Sequence, residues 1–257
     1  MRNVIHFDVN IKKRITKADY FCKYLLAETP LGQRMSFISN LFSPSDNPDS
    51  LGAKFRNQRQ KYFEDLFFQN FSKNEPIRVL DVGGASYFWD RSSLPSLPNI
   101  EIVLLNLSEQ KTTHPKIKSV VGDAMAMPEF GDNSFDLVFS NSVIEHLYTW
   151  DKQQKMANEI MRVGKKHFIQ TPNRTFPVEA HYAIPFAQYL PHSLLYFMLT
   201  KTKLSRLQKW NPKDAKQYLD EIRLLDIKEM QLLFPASSMY QEKILGMTKS
   251  ICAHNLA

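Results

Sequence analysis

Val79-Leu80-Asp81-Val82-Gly83-Gly84-Ala85-Ser86 is an apolar run that ends in a carboxylate and turns at once through two glycines. It reads as a buried strand whose end carries an acceptor for an amine or a ribose. Glycine there lets the chain turn tightly and brings backbone N–H groups close to a ligand. Comparable runs follow at regular spacing. Ile100 to Asn106 is a second strand, residues 117 to 121 a third closed by Gly122-Asp123-Ala124, and Phe135 to Ser140 a fourth ending in Asn141. Residues 166 to 171 make a fifth. Near-continuous apolar strands interrupted by helical stretches are what a parallel sheet covered on both faces requires. The stretch from Asp151 to Val163 has helical spacing of Met156, Ile160 and Val163, with Gly164 as its stop.

Outside this series the chain is less regular. Residues 1 to 75 read as mainly helical, with a break at Ser43 to Gly52 and an aromatic stripe of Phe55, Tyr62, Phe63, Leu66, Phe67 and Phe71. From Thr171 to about Leu225 the alternation stops for an excursion too long to be an idle loop. The chain then returns to the sheet at Ser237 to Ile244 and Met247 to Ala253, joined at Gly246.

The series resembles the class I S-adenosylmethionine-dependent methyltransferases, in the type 11-like branch with an LDVGCGxG turn, a GDAxxLPF segment and an FDxVxxxxVxEHL segment. Leu80 to Ser86, Gly122 to Phe130 and Phe135 to Leu147 carry the likeness, and Gly246 to Ser250 is similar to the closing GLTKS hairpin. Thr171-Pro-Asn-Arg174 and the Glu179-x-His181 that follows are similar to a TPNR-x-FP-x-E-x-H pattern in bacterial methyltransferases of uncertain substrate. The resemblance implies an α/β fold: a Rossmann-like, seven-stranded, mostly parallel sheet with helices on both faces. To this the sequence adds an N-terminal helical cap over 1–75 and, within a methyltransferase domain over 76–257, a helical insertion at about 172–225. A nicotinamide site is disfavoured, because the turn lacks the G-x-G-x-x-G spacing that sets a helix N-terminus against a pyrophosphate.

The resemblance also implies the cofactor, S-adenosyl-L-methionine, and its contacts. Asp81 with the Gly83, Gly84 and Ala85 turn would meet the amino acid end, Asn106 and Leu107 the ribose side, Asp123 and Ala124 the adenine, and Asn141 the mouth of the crevice. The family usually has an acid where Asn106 stands. An amide accepts one bond and donates another, and a neutral bond is weaker than a charged one, so weaker binding that Asn106→Asp would restore is expected. Ala85 stands where glycine is usual and is harmless if its backbone stays in ordinary regions.

Methyl transfer from a sulfonium needs an aligned nucleophile and a dry site, plus a base if the acceptor must lose a proton. His146, His181 and Glu179 are the candidates for that role, with Glu145 beside them. No metal is expected, since the E-x-x-E-H pattern of ubiquinone-type O-methyltransferases would need an acid where Ser142 stands. The Asn/Asp-Pro-Pro motif of amino-directed nucleobase enzymes is missing after the fourth strand, and neither Cys22 nor Cys252 suits cytosine chemistry. A small-molecule or lipid/glycan-linked acceptor, methylated at oxygen and held among Phe176, Tyr182, Ile184, Phe186, Tyr189, Leu194, Leu195, Tyr196 and Phe197, is the reading that remains. An RNA methyltransferase and a catalytically inert binding protein are the rivals.

Charge points the same way. Lys and Arg outnumber Asp and Glu by 12 to 8 over residues 1–75 and by 11 to 7 over 172–257, while 76–171 carries 10 against 11. The excess sits on the flanks, where it would attract an anionic acceptor, a membrane surface or RNA. DNA is not expected. The opening residues lack an apolar core of signal-peptide length and two lone cysteines give no disulfide framework, so a cytoplasmic location is expected.

Overall fold

The structure, a computed structural model, describes residues 51–112 and 114–257. Cys22 and most of the expected N-terminal cap lie outside the described residues. The chain divides into two units, Met1–Ala53 and Lys54–Ala257, and the architecture below belongs to the second apart from the first three residues of its opening helix. Its elements run α1 (Leu51–Asn70), β1 (Ile77–Val82), α2 (Ser86–Trp89), β2 (Ile100–Asn106), β3 (Ile117–Val121), β4 (Phe135–Asn141), α3 (Trp150–Val163) and β5 (Gly164–Pro172). After these come α4 (His192–Lys201), α5 (Pro212–Glu221), α6 (Ile227–Leu233), β6 (Ser238–Ile244) and β7 (Met247–His254).

Seven strands form one sheet in the order β3-β2-β1-β4-β5-β7-β6. The first five are parallel, and β7 enters antiparallel between β5 and β6. Chain order reverses between β1 and β4, so a crevice opens at their C-terminal ends, the usual ligand position in such sheets. Residue alternation sorts the strands between two cores. Leu80, Val82, Leu105 and Val138 face Met156 and Ile160 of α3 and Met230 of α6. Val79, Leu104, Leu137 and Phe139 face Phe63 and Phe67 of α1 and Trp89 of α2. Asp81 shares the parity of Val79 and so lies on the aromatic side.

Helix ends are set by local chemistry. Thr149 accepts from the Lys152 N–H, Asn211 from the Lys213 N–H, and Asp226 makes a capping box with Glu229. Gly164 does stop α3, though in extended rather than left-handed backbone because β5 starts on it. The β6–β7 hairpin turns at Leu245 and Gly246, both at positive φ, as a two-residue turn between twisted strands requires. A buried Arg59–Glu242 ion pair of 3.1 Å fastens α1 to β6.

The excursion after β5 carries α4 and α5 and a small core of its own, built on Tyr182, Ile184, Leu195, Leu199, Ala215 and Leu219. A parallel bridge of Asn173 with Leu225 closes its root. Arg174 pairs with Asp226 and Glu229, and Arg223 with Glu229 at 2.7 Å, which ties that root to the start of α6.

Candidate active site

The glycine turn is built around Asp81. A Cβ on Gly84 would lie 1.7 Å from Asp81 Oδ2, and one on Gly83, which sits at φ +74°, would lie 2.6 Å from a Val143 methyl. Both positions therefore demand glycine for close approach, and Gly83 for conformation as well. Ala85, at φ −127° and ψ 146°, is in ordinary extended backbone and carries its methyl without strain.

Asp81 is fully enclosed and accepts a 2.7 Å hydrogen bond at Oδ2 from the indole N–H of Trp89. Burial pushes its carboxyl up to about 7, against a smaller downward pull from that indole. Trp89 is a residue the sequence reading missed as an Asp81 partner. Its only signal is the aromatic Phe88-Trp89 pair that ends the short helix after the turn, and the contact depends on how Trp89 packs under Phe63 and Phe139.

Asn106 stands at the end of β2 as expected, but its amide N–H₂ donates to the Gly84 carbonyl at 2.8 Å. It braces the turn and leaves its oxygen and one amide N–H for a ligand. Leu107 beside it is largely exposed. Asp123 accepts from the Met125 N–H at 2.8 Å through Oδ1 in a local turn. Ala124 packs against the α3-side core, and Asn141 ends β4. Asp81 Oδ1, Ser86 Oγ and Asn141 Oδ1 are buried without a partner among the described residues. Acceptor oxygens orphaned at strand ends around a tight glycine turn fit a ligand that offers amine and hydroxyl donors and no phosphate, which is the donor set of S-adenosylmethionine.

A second constellation lies past the end of β4. His181, at the start of the excursion, bonds through Nδ1 to Glu179 Oε1 at 2.7 Å, and Glu179 Oε2 accepts from the backbone N–H groups of His181 and Tyr182 at 2.8 and 2.6 Å. The His146 ring meets the His181 ring edge-on, with centroids 5.0 Å apart. Glu145 is buried beneath them, accepting from Thr171 Oγ1 at 3.0 Å through one oxygen while the other has no partner among the described residues. All three catalytic candidates thus converge, and Glu145 with them. Glu145, His146 and His181 each offer a ligand atom within 4.8 Å of the others, a set able to hold a divalent cation.

The two imidazoles are electrostatically unlike. Burial, then the neighbouring His181, depress His146 to about 4. Burial also pulls on His181, but the hydrogen bond and charge of Glu179 together with Glu145 outweigh it and raise its pKa. Burial raises Glu145, partly offset by His181. Ser142, Tyr148, Ala183 and Phe186, all near this cluster in the chain, hold positive φ without being glycine, as strained functional segments commonly do.

The aromatic wall expected of the excursion is only half there. Phe176, Tyr182, Ile184 and Leu195 are buried, but Phe186, Tyr189, Leu194, Tyr196 and Phe197 face outward. A helix turns about 100° per residue and α4 packs by one stripe only, so neighbours in a continuous apolar run cannot all point inward. A cavity of about 210 Å³ does lie here, lined by Tyr182, Leu195 and Leu219 and by the polar Arg174, Glu179 and Arg223.

Residues 96–167, from just before β2 into β5, match a family model described as a methyltransferase domain. The glycine turn and the excursion fall outside that match. Among solved structures, the chain is similar to the CurJ carbon methyltransferase, at 12% identity and a TM-score of 0.51, over 93% of this chain and 68% of that one. A Bordetella parapertussis chain described as a possible exported protein matches at 11% and 0.51, over 91% and 86%. The domain match covers the central strands, and the structural likeness shows that the chain has the class I methyltransferase fold. The methyltransferase-domain chains compared differ in extent. This chain spans 45% of the length of a Galdieria sulphuraria methyltransferase at a TM-score of 0.35 and 19% identity, covering 44% of itself, and 97% of one from Methanosarcina mazei at 0.44 and 14%, covering 74% of itself. A search of curated proteins returns no match. S-adenosylmethionine, the cofactor that the methyltransferase-domain match implies, suits the orphaned oxygens described above.

Proposed function

We propose that this methyltransferase transfers its methyl group to an oxygen of a small-molecule or lipid/glycan-linked acceptor, with His181 as general base. The observation that carries the reading is the Glu179–His181 pair. A carboxylate held by two backbone N–H groups fixes the Nδ1 side of the imidazole, which leaves Nε2 to take a proton, the arrangement by which a base is oriented as well as strengthened. When bound, S-adenosylmethionine supplies the methyl group as an electrophilic sulfonium. Asp81, Asn141 and the glycine turn are the proposed contacts to its amino acid end, and Asn106 Oδ1, Leu107, Asp123 and Ala124 those to its nucleoside. His146, depressed to about 4, stays neutral beside His181 and so adds no charge to the site at neutral pH.

Two observations bear on the acceptor. Cys252 is buried in β7 within the aromatic core and burial raises its thiol, so it suits no attack on a base. The cavity beside Glu179 mixes apolar walls with two arginines, which suits a carbon-rich acceptor bearing an anionic group. The two arginines are already paired with Asp226 and Glu229, so an anion there competes with those acids and gains less than a bare arginine would give. No described helix is long and apolar enough to cross a membrane, and a cytoplasmic site of action remains our reading from cysteine use.

The test is His181→Ala and Glu179→Gln with the acceptor in hand. His181→Ala should lower kcat on the order of 10²–10⁴-fold with cofactor affinity unchanged. Because Glu179 raises the His181 pKa, the acid limb of the wild-type kcat profile should lie above that of an ordinary imidazole, and Glu179→Gln should move it down. An acid limb that stays in place in Glu179→Gln removes His181 from the role. The Glu145, His146 and His181 geometry supports a second reading, a divalent ion that orients the acceptor. Turnover lost to EDTA and restored by zinc or manganese would favour it.

A further inference from the structure

Residues 180–213 contain no Asp or Glu and five Lys or Arg. Over the same stretch large apolar side chains stand in solvent. Leu204 is 61% exposed, Leu207 86%, Phe197 55% and Leu194 44%, with Phe186 and Tyr189 exposed as well. On α4, Leu194, Phe197 and Lys201 follow at three- and four-residue spacing and share a face, while Leu195 and Leu199 turn into the excursion's own core. Past α4, Arg206 and Leu207 both hold positive φ, and the Arg206 guanidinium is tied back to the Ala180 carbonyl at 3.1 Å. A leucine kept in left-handed backbone with its side chain in water is strain without a packing reward, which points to use elsewhere.

We propose that the exposed apolar and basic side chains of this stretch, from Phe186 to Lys209, dock on the surface of an anionic lipid bilayer. Apolar side chains interleaved with lysines and free of acids are what a peripheral segment needs. The apolar groups enter the headgroup boundary and the ammonium groups pair with anionic lipid. A protein partner would tolerate acidic residues in the patch, whereas an anionic surface repels every one. The opposite side of α4 contributes Leu195 to the 210 Å³ cavity that Glu179 also lines, so docking would hold that cavity one helix diameter, roughly 10 Å, from a lipid-linked acceptor in the bilayer. The docking stands on the surface alone, and only the lipid anchor of the acceptor rests on the proposed function.

The experiment is cosedimentation of the full chain with phosphatidylcholine vesicles, with and without phosphatidylglycerol, at low and high salt. Retention should rise on the order of tenfold or more with phosphatidylglycerol and fall with salt. Leu194→Ser, Phe197→Ser, Leu204→Ser and Leu207→Ser combined should abolish it, since these groups are already in water and their loss leaves the thermal unfolding midpoint in place. Lys201→Gln, Lys203→Gln and Lys209→Gln combined should erase only the preference for anionic vesicles. No retention at low salt, or retention undiminished in the serine variant, overturns the proposal. Binding of polyuridylate in place of vesicles, lost in the lysine variant and kept in the serine variant, overturns it in favour of RNA. Amine cross-links from Lys201 or Lys203 to a second copy or to residues 1–50 that persist with vesicles overturn it in favour of that partner. Cofactor affinity measured by calorimetry on the same samples separates failure of this surface from failure of the methyltransferase reading.

Discussion

Asp81 carries the most chemistry of any single residue in the crevice. Enclosed and raised to about 7, it is half protonated near neutrality, with the Trp89 indole as its one side-chain partner among the described residues. A cationic amino group arriving there favours the ionised form. Cofactor affinity is therefore expected to rise as pH passes upward through about 7. Asp81→Asn should weaken binding by roughly 10- to 100-fold, since a hydrogen bond to a charged group contributes about 1.5–3 kcal/mol, and should flatten that pH dependence. Calorimetry across pH reads both. Asn106 behaves differently from what its position in the sequence suggests. Its N–H₂ donates to the Gly84 carbonyl, so Asn106→Asp would set a carboxylate against a carbonyl oxygen. The expected outcome is weaker cofactor binding and a loosened turn, reversing the gain anticipated from restoring an acid; tighter binding in a titration would show that the aspartate swings to the ribose.

At the scale of elements, α1 bears on the crevice through the aromatic side of the sheet. Phe63 is buried against Phe139, Phe168 and Trp89, at ring distances of 4.8, 5.1 and 6.4 Å. Truncating it to alanine should cost roughly 3–5 kcal/mol and lower the melting temperature by about 10 °C. Because Trp89 loses a supporting ring, cofactor affinity should fall too, whereas a change at an equally buried site on the other sheet face, such as Ile160→Ala in α3, should spare it. The strands and the principal helix α3 were legible to within a residue or two, since period-2 and period-3.6 apolar patterns are local. The excursion was legible as helical but not in its facing, because Phe186, Tyr189, Leu194, Tyr196 and Phe197 look alike in sequence whether they point in or out.

For the whole molecule, stability against acid depends on imidazoles that fold in neutral. His167 is buried between β5 and the segment before β6, with Nε2 2.6 Å from Ser237 Oγ. Burial, then the charges of His254 and Lys166, hold it down at about 4. The unfolded chain takes up a proton there below about 6.5 that the folded chain refuses until about 4, so this group destabilises the fold progressively as pH falls through that window. His167→Gln keeps a side chain able to meet Ser237 and removes the titration. Whatever it costs at pH 7, the stability difference from wild type should shift in the variant's favour by up to roughly 3 kcal/mol towards pH 4. Urea unfolding at several pH values measures it, and two parallel curves would show that His167 titrates normally in the folded state.

The sequence by itself determined the sheet, the glycine turn, the family it resembles and the candidates Asp81, Asn106, Asp123, Glu145, His146, Glu179 and His181, because apolar period, turn chemistry and motif spacing are properties of neighbouring residues. Only the tertiary structure decided which of them meet. His181 reaches His146 across the whole of α3 and β5, Trp89 closes on Asp81 because α1 presses from behind, and Asn106 turns its amide to Gly84 rather than outward. Such contacts are set by how packed elements cross, and burial then fixes the proton affinities of the groups they enclose, neither of which a residue's neighbours along the chain specify.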